Sequence, residues 1–282
     1  MKSSLKGLLQ AADRGGYAIP AFNYSDIWDF LAIVQAAEEE HAPVMLATNP
    51  LVVSAVGLEI CAALGQAAIE KYACPLIHHL DHSFDQARCL AAIDCGYDSV
   101  MIDASKHELA ENIVMTKTVV DYAHARGVHV EAELGKIKGK GIEGDFKGGD
   151  FLVDVQEAVQ LVLQTGVDSL AVGIGTAHGF YTEKPAINFK RLAEVNAAVD
   201  IPLVLHGGSG IPQEDIRLAI RNGINKVNVG TIIHSTYMNG MRRELMARGE
   251  NQYTLDIVKH VLPDIKEVVR GWIRTCMANG KA

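Results

Sequence analysis

The stretch Leu76-Ile77-His78-His79-Leu80-Asp81-His82, opened by Pro75, decides the fold. An apolar run ends in three histidines and an aspartate, as a buried strand does where it meets a site. Strand periodicity places His78, Leu80 and His82 on one face and His79 and Asp81 on the other. Buried imidazoles and carboxylates are costly unless paired or metal-bound. A lone histidine is usually a satisfied core residue, but four such groups in five residues point to chemistry.

Outward from this strand, the same unit recurs in both directions. Upstream, 17–23 reads as a strand ending at Asn23, and 43–48 as a strand ending at Asn49-Pro50; 4–14, 26–40 and 56–71 carry helical spacing. The first of these helices is expected to cover one end of a barrel. Downstream, helix 84–95 leads to strand 98–103, ending in Asp103, and helix 108–126 leads to strand 128–134, which carries Glu131 and Glu133. The segment 135–150 holds six glycines and many charges, a long loop of the kind that closes over active sites. Helix 155–165 precedes strand 168–174, which runs into Gly175-Thr176-Ala177-His178-Gly179. Helix 189–198 precedes strand 202–206 and Gly207-Gly208-Ser209-Gly210; helix 213–222 precedes the strand and turn 226–231. Helices 232–248 and 257–277 finish the chain.

Eight βα units in roughly 250 residues predict an α/β fold, a (β/α)₈ TIM barrel with additional C-terminal helices, as one domain over 1–282. A doubly wound open sheet would need a topological switch and would not bring all eight strand ends together. Every predicted strand ends in polar groups, and in a barrel those ends line the active site.

Composition narrows the function class. The 282 residues are 49% hydrophobic, ample for a large core. A formal charge of −8 provides no basic footprint for nucleic acid. A local positive pocket can still take a small anion. No stretch of about 18 apolar residues predicts a membrane span, and the N-terminus lacks a signal-peptide core. Five cysteines without a CxxC pair suggest reduced thiols and a cytoplasmic protein.

Under the barrel assignment, His82, His178 and His206 come from strands three, six and seven and converge. Three imidazoles leave an open coordination position, the pattern of catalytic zinc. Asp103 and Glu133 could orient these ligands or hold a second divalent or monovalent cation. The glycine turns after strands seven and eight are where barrels commonly bind phosphate, through backbone N–H groups and helix N-termini. A metal beside a phosphate pocket suggests a small sugar phosphate as ligand.

At these residues the sequence resembles the class II, zinc-dependent fructose- and tagatose-bisphosphate aldolases over nearly its whole length. The matching motifs are His79-Leu80-Asp81-His82, Ser99-Val100-Met101-Ile102-Asp103, Val130-Glu131-Ala132-Glu133-Leu134-Gly135, His178-Gly179, Leu205-His206-Gly207-Gly208-Ser209-Gly210 and Asn228-Val229-Gly230-Thr231. The resemblance implies a homodimeric or homotetrameric lyase of carbohydrate metabolism. It would cleave a ketose 1-phosphate or 1,6-bisphosphate between C3 and C4, releasing dihydroxyacetone phosphate and an aldehyde. It implies zinc on His82, His178 and His206, and Asp81 as general acid/base for the C4 hydroxyl. It implies dihydroxyacetone phosphate bound by Gly179, Gly207, Gly208, Ser209, Asn228, Val229, Gly230 and Thr231, and Glu143 of the long loop as carrier of the C3 proton.

Three departures bear on the substrate. The loop 138–145 is longer and more basic than the family's usual form. Gly230 stands where fructose-type members often carry Asp or Asn and tagatose-type members Ala. Leu255 falls where the family often has an arginine for the substrate's far phosphate, which allows a ketose 1-phosphate lacking a terminal phosphate; Lys136, Lys138 and Lys140 could compensate. Two alternatives remain: a Schiff-base aldolase, for which Lys226 is expected at the wrong end of its strand, and a non-catalytic aldolase-like subunit.

Overall fold

Each predicted strand forms, and together they close. The computed structural model describes residues 4–135, 138–139, 151–179, 185–248 and 253–282. The barrel strands are β1 (Ile19–Asn23), β2 (Val44–Thr48), β3 (Leu76–Ser83), β4 (Ser99–Ile102), β5 (His129–Leu134), β6 (Ser169–Val172), β7 (Leu203–Leu205) and β8 (Ile224–Val229). All neighbours are parallel, and the ring runs β1-β8-β7-β6-β5-β4-β3-β2. Closure removes the sheet edges and sends all eight C-terminal ends to one mouth.

The apolar core is mainly the layer between strands and helices, where Phe22, Leu46, Ile77, Leu80, Val100, Leu170 and Leu205 lie buried. Inside the barrel, Met101, Ala171 and Val204 form a small separate plug. The rest of the interior is polar: His79, Glu131, Glu133, His206, Lys226 and Asn228 are all buried. The first helix, Leu5–Gly15, sits at the other end, where its Asp13 accepts a hydrogen bond from Asn225 (3.2 Å). The last helix, Thr254–Thr275, packs back against helix Ile27–Glu39.

Three local differences from the periodicity have physical causes. The helix expected over 56–71 forms as Leu58–Lys71, and a further helix that was not expected, Pro50–Val56, precedes it across Gly57 (φ 95°). Pro50 starts this further helix rather than blocking it, because proline suits the first helical turn and the Asn49 side chain caps Leu51 and Val52. β8 begins at Ile224, so Lys226 is mid-strand rather than at its start. The expectation that His82 faces away from Asp81 is also corrected. Leu80 pairs with Val100 and Ser83 with Ile102, so β3 carries one extra residue against β4. His82 takes φ 45° there, and this bulge turns its ring to the same mouth as Asp81.

Candidate active site

A cavity of about 290 Å³ opens at the C-terminal mouth. Its wall includes His82 from the β3 bulge, His178 from the two-residue strand Ala177–His178 that follows β6, and His206 just past β7. Ring centroids are 4.5 Å apart for His82 and His206, 4.9 Å for His82 and His178, and 6.0 Å for His178 and His206. One nitrogen from each ring lies within 4.8 Å of the others. Gly207 (φ 73°) permits this approach, because a Cβ there would meet the Ala177 carbonyl oxygen at 2.2 Å.

The outer partners fix how two of the rings present themselves. His82 Nδ1 lies 3.0 Å from Asp103 Oδ2, and His206 Nε2 lies 2.9 Å from Glu131 Oε1. Each carboxylate accepts, so each of those nitrogens donates. The lone pairs of His82 Nε2 and His206 Nδ1 then face one another at 2.7 Å. Two lone pairs at that distance repel unless a cation joins them. Burial, with the charge of His82 next, holds the His206 pKa well below the usual histidine range, so it is a neutral donor. The residues present therefore fit a divalent ion that favours imidazole nitrogen.

Asp103 and Glu133 flank His82, at 3.0 and 3.8 Å from its Nδ1. They form with it a second group whose ligand atoms also lie within 4.8 Å. Burial acts to raise the Asp103 pKa, but His82 and the Ser105 hydroxyl and N–H outweigh it and keep the carboxyl below its usual range. Ser105 donates to Asp103 Oδ1 from Oγ at 2.7 Å and from its backbone at 3.1 Å.

Asp81 is held at both oxygens. Asn23 Nδ2 donates to Oδ2 at 2.8 Å, and Asn228 Nδ2 donates to Oδ1 at 2.9 Å. Burial acts to raise its pKa; His82, His206, Lys226 and the Asn23 amide outweigh that and lower it. The result is an aimed carboxylate on the cavity wall, suited to accept a proton. Asn228 Oδ1 is buried with no partner among the described residues, so it too has bonding capacity for a ligand.

The glycine turns form the opposite wall. Gly179, Gly207, Ser209, Gly230 and Thr231 line the cavity; Gly208 and Val229 do not. Val229 turns its side chain into the core between barrel and helices. Thr231 opens helix Thr231–Arg248, whose first N–H groups face this end, and Gly208–Gly210 forms a short 3₁₀ turn. Glu143, Lys136 and Lys140 lie outside the described residues, as does the side chain of Lys138. Leu255, in the first turn of the last helix, is 42% exposed and does not line the cavity.

The fold brings five further groups here, of which Asn23 and Asn49 were expected as polar strand ends, while His234 and the parts played by Glu131 and Lys226 were not. Asn23, Asn49 and His234 line the cavity, and Glu131 and Lys226 lie beneath it. A polar residue at a strand end was the available signal for Asn23 and Asn49. Nothing in the spacing marked His234, which meets Ser25 Oγ at 2.9 Å across a turn of the barrel.

The comparisons with known proteins agree with this geometry. The family description "Fructose-bisphosphate aldolase class-II" matches residues 3–281. The crystal structure of the YdjI aldolase from Escherichia coli K12 is similar at TM-score 0.89 and 33% identity, with 100% of both chains covered. A putative fructose-1,6-bisphosphate aldolase from Coccidioides immitis is similar at TM-score 0.88 and 27% identity, covering 100% of this chain and 99% of that one. A fructose-bisphosphate aldolase from Campylobacter jejuni shares the fold at TM-score 0.81 and 20% identity, over 99% and 95%. Among the described residues no single helix is long and apolar enough to cross a membrane. With a whole-length family match and the histidines and aspartate of the motifs gathered at one barrel mouth, the chain belongs to the class II fructose-bisphosphate aldolase family, a family of lyases.

Proposed function

We propose that this aldolase is zinc-dependent and cleaves a ketose 1-phosphate between C3 and C4, releasing dihydroxyacetone phosphate and an aldehyde. The observation that carries the reading is the gathering of His82, His178 and His206 beside a carboxylate aimed by two amides. His82, His178 and His206 would hold the ion. Bound there, zinc would act as a Lewis acid on the substrate carbonyl.

The chain's own residues do the rest. Asp81 takes the C4 hydroxyl proton as the C3–C4 bond breaks and C4 becomes the aldehyde carbon. The electron pair of that bond stays on the three-carbon fragment. That fragment takes a proton at C3, for which Glu143 is the proposed carrier, and leaves as dihydroxyacetone phosphate. Gly179, Gly207, Ser209, Asn228, Gly230 and Thr231, which line the cavity, are the proposed holders of that fragment, its phosphate lying toward the turns after β7 and β8; Gly208 and Val229, which do not line it, are set aside. The active species is proposed as a homodimer or homotetramer.

The test is a retro-aldol assay across a panel of ketose 1-phosphates and 1,6-bisphosphates, with dihydroxyacetone phosphate as the common product. Wild-type protein should release it from at least one, and Asp81→Ala should keep zinc while losing about 10²-fold or more in kcat. No cleavage of any member by zinc-loaded protein would refute the reading. Equal loss of zinc in Asp81→Ala would make Asp81 a ligand instead.

A further inference from the structure

Lys226 is a buried cation among the described residues that the reaction above does not use. It is 1% exposed inside the barrel, and it does not line the cavity. Its Nζ donates to Glu131 Oε2 at 2.7 Å and lies 3.3 Å from His79 Nε2. His79 Nδ1 in turn meets Ser99 Oγ at 2.9 Å. The other oxygen of Glu131, Oε1, lies 2.9 Å from His206 Nε2. A continuous buried chain therefore runs from an ammonium on β8, through a carboxylate on β5, to the imidazole after β7.

We propose that Lys226 and Glu131 act as a positioning pair that holds His206 with Nε2–H turned inward and Nδ1 presented to the metal. The inference rests on the metal-site reading above and adds a part to it. The carboxylate is what selects this arrangement, since it can only accept from the ring. A carboxylate this deeply buried is costly without a compensating cation. Lys226 supplies that charge from below, on the oxygen that His206 does not use. The two oxygens are thus divided: one neutralised, one aimed. The same ammonium approaches His79 Nε2, which leaves His79 Nδ1–H for Ser99 and keeps a second imidazole ordered beneath Asp81. With its amine taken up by Glu131 and out of the cavity wall, Lys226 is not placed as a Schiff-base nucleophile.

The experiment measures zinc affinity of the full chain by chelator competition, with circular dichroism and melting of the metal-free protein as folding controls. Glu131→Gln leaves one carbonyl oxygen for which the Lys226 ammonium and the His206 N–H compete. Lys226→Met leaves the carboxylate without its cation. Each should weaken zinc binding about 10- to 100-fold, the range for partners that orient a metal ligand. The double variant leaves an amide carbonyl to His206 alone, and should bind zinc more tightly than either single variant. A purely structural pair would not produce that recovery. If Lys226→Met does not fold, Glu131→Gln against the double variant decides. Zinc affinity within twofold of wild type in folded single variants overturns the proposal, as does equal loss in all three. A Lys226 adduct trapped by borohydride with substrate also overturns it. Absence of zinc binding by wild type would instead sink the metal-site reading itself, so the two failures are distinguishable.

Discussion

Removing the Asn23 amide should slow the enzyme without emptying the metal site. Asp81 is 3% exposed and takes one hydrogen bond on each oxygen, from Asn23 at 2.8 Å and from Asn228 at 2.9 Å. Asn23→Ala deletes the first and leaves the second, so the carboxylate can pivot about its remaining contact. A hydrogen bond to a charged group is worth about 1.5–3 kcal/mol. If that aim is used in the transition state, the loss in kcat/KM is roughly 10- to 150-fold. Asn23 is not one of the three proposed zinc ligands, so zinc content should stay at about one ion per chain. The assay is steady-state cleavage of the best ketose phosphate in the panel, with metal analysis of the same preparation. Asn23 also lines the cavity, so the double variant with Asp81→Ala is needed. If Asn23 works through Asp81, its removal should cost little more once Asp81 is gone. A kcat/KM within about threefold of wild type, or an undiminished cost in the Asp81→Ala background, would refute the reasoning.

Exhaustive chelation should abolish cleavage and zinc should restore it, while His178→Ala should fail to hold the metal; full activity of metal-free protein would contradict the site. Burial pushes the His129 pKa down to about 4, so the folded protein keeps it neutral while the unfolded chain charges it near 6.5. The stability it contributes is present above the unfolded value and is lost as pH falls toward 4. That amounts to about 2 kcal/mol between pH 8 and pH 5. His129→Gln, which can keep the contact with Ser169, should flatten that part of the curve. The difference between the two proteins is the readout, because Asp29, pushed up to about 7 by burial, acts oppositely over the same range. If Leu255, which does not line the cavity, stands where a relative's arginine meets the far phosphate, the bisphosphate preference should be roughly 10- to 150-fold smaller than in that relative. A preference for the 1,6-bisphosphate over the 1-phosphate of about 10³-fold or more in kcat/KM would remove the Leu255 argument.

Much of this was legible in one dimension. Apolar runs of strand length, each ending in polar residues and followed by a helical stretch, recur eight times and require a closed parallel sheet. Because such a barrel gathers strand ends, Asp81, His178 and His206 could be placed at one mouth from their positions alone. His82 could be assigned to the site but not oriented, since strand alternation turned it away and only the extra residue against β4 turned it back. Glu131 and Glu133 share a face of β5, and periodicity cannot say which one serves His206 and which one lies near His82. Asn23 reaches Asp81 across 58 residues of sequence, and Lys226 reaches Glu131 across 95. Periodicity is set by the local geometry of the backbone, so it can be read along the chain. Partners across the barrel interior depend on how far each strand is staggered when the ring closes, and that stagger is fixed only when all eight strands pack together.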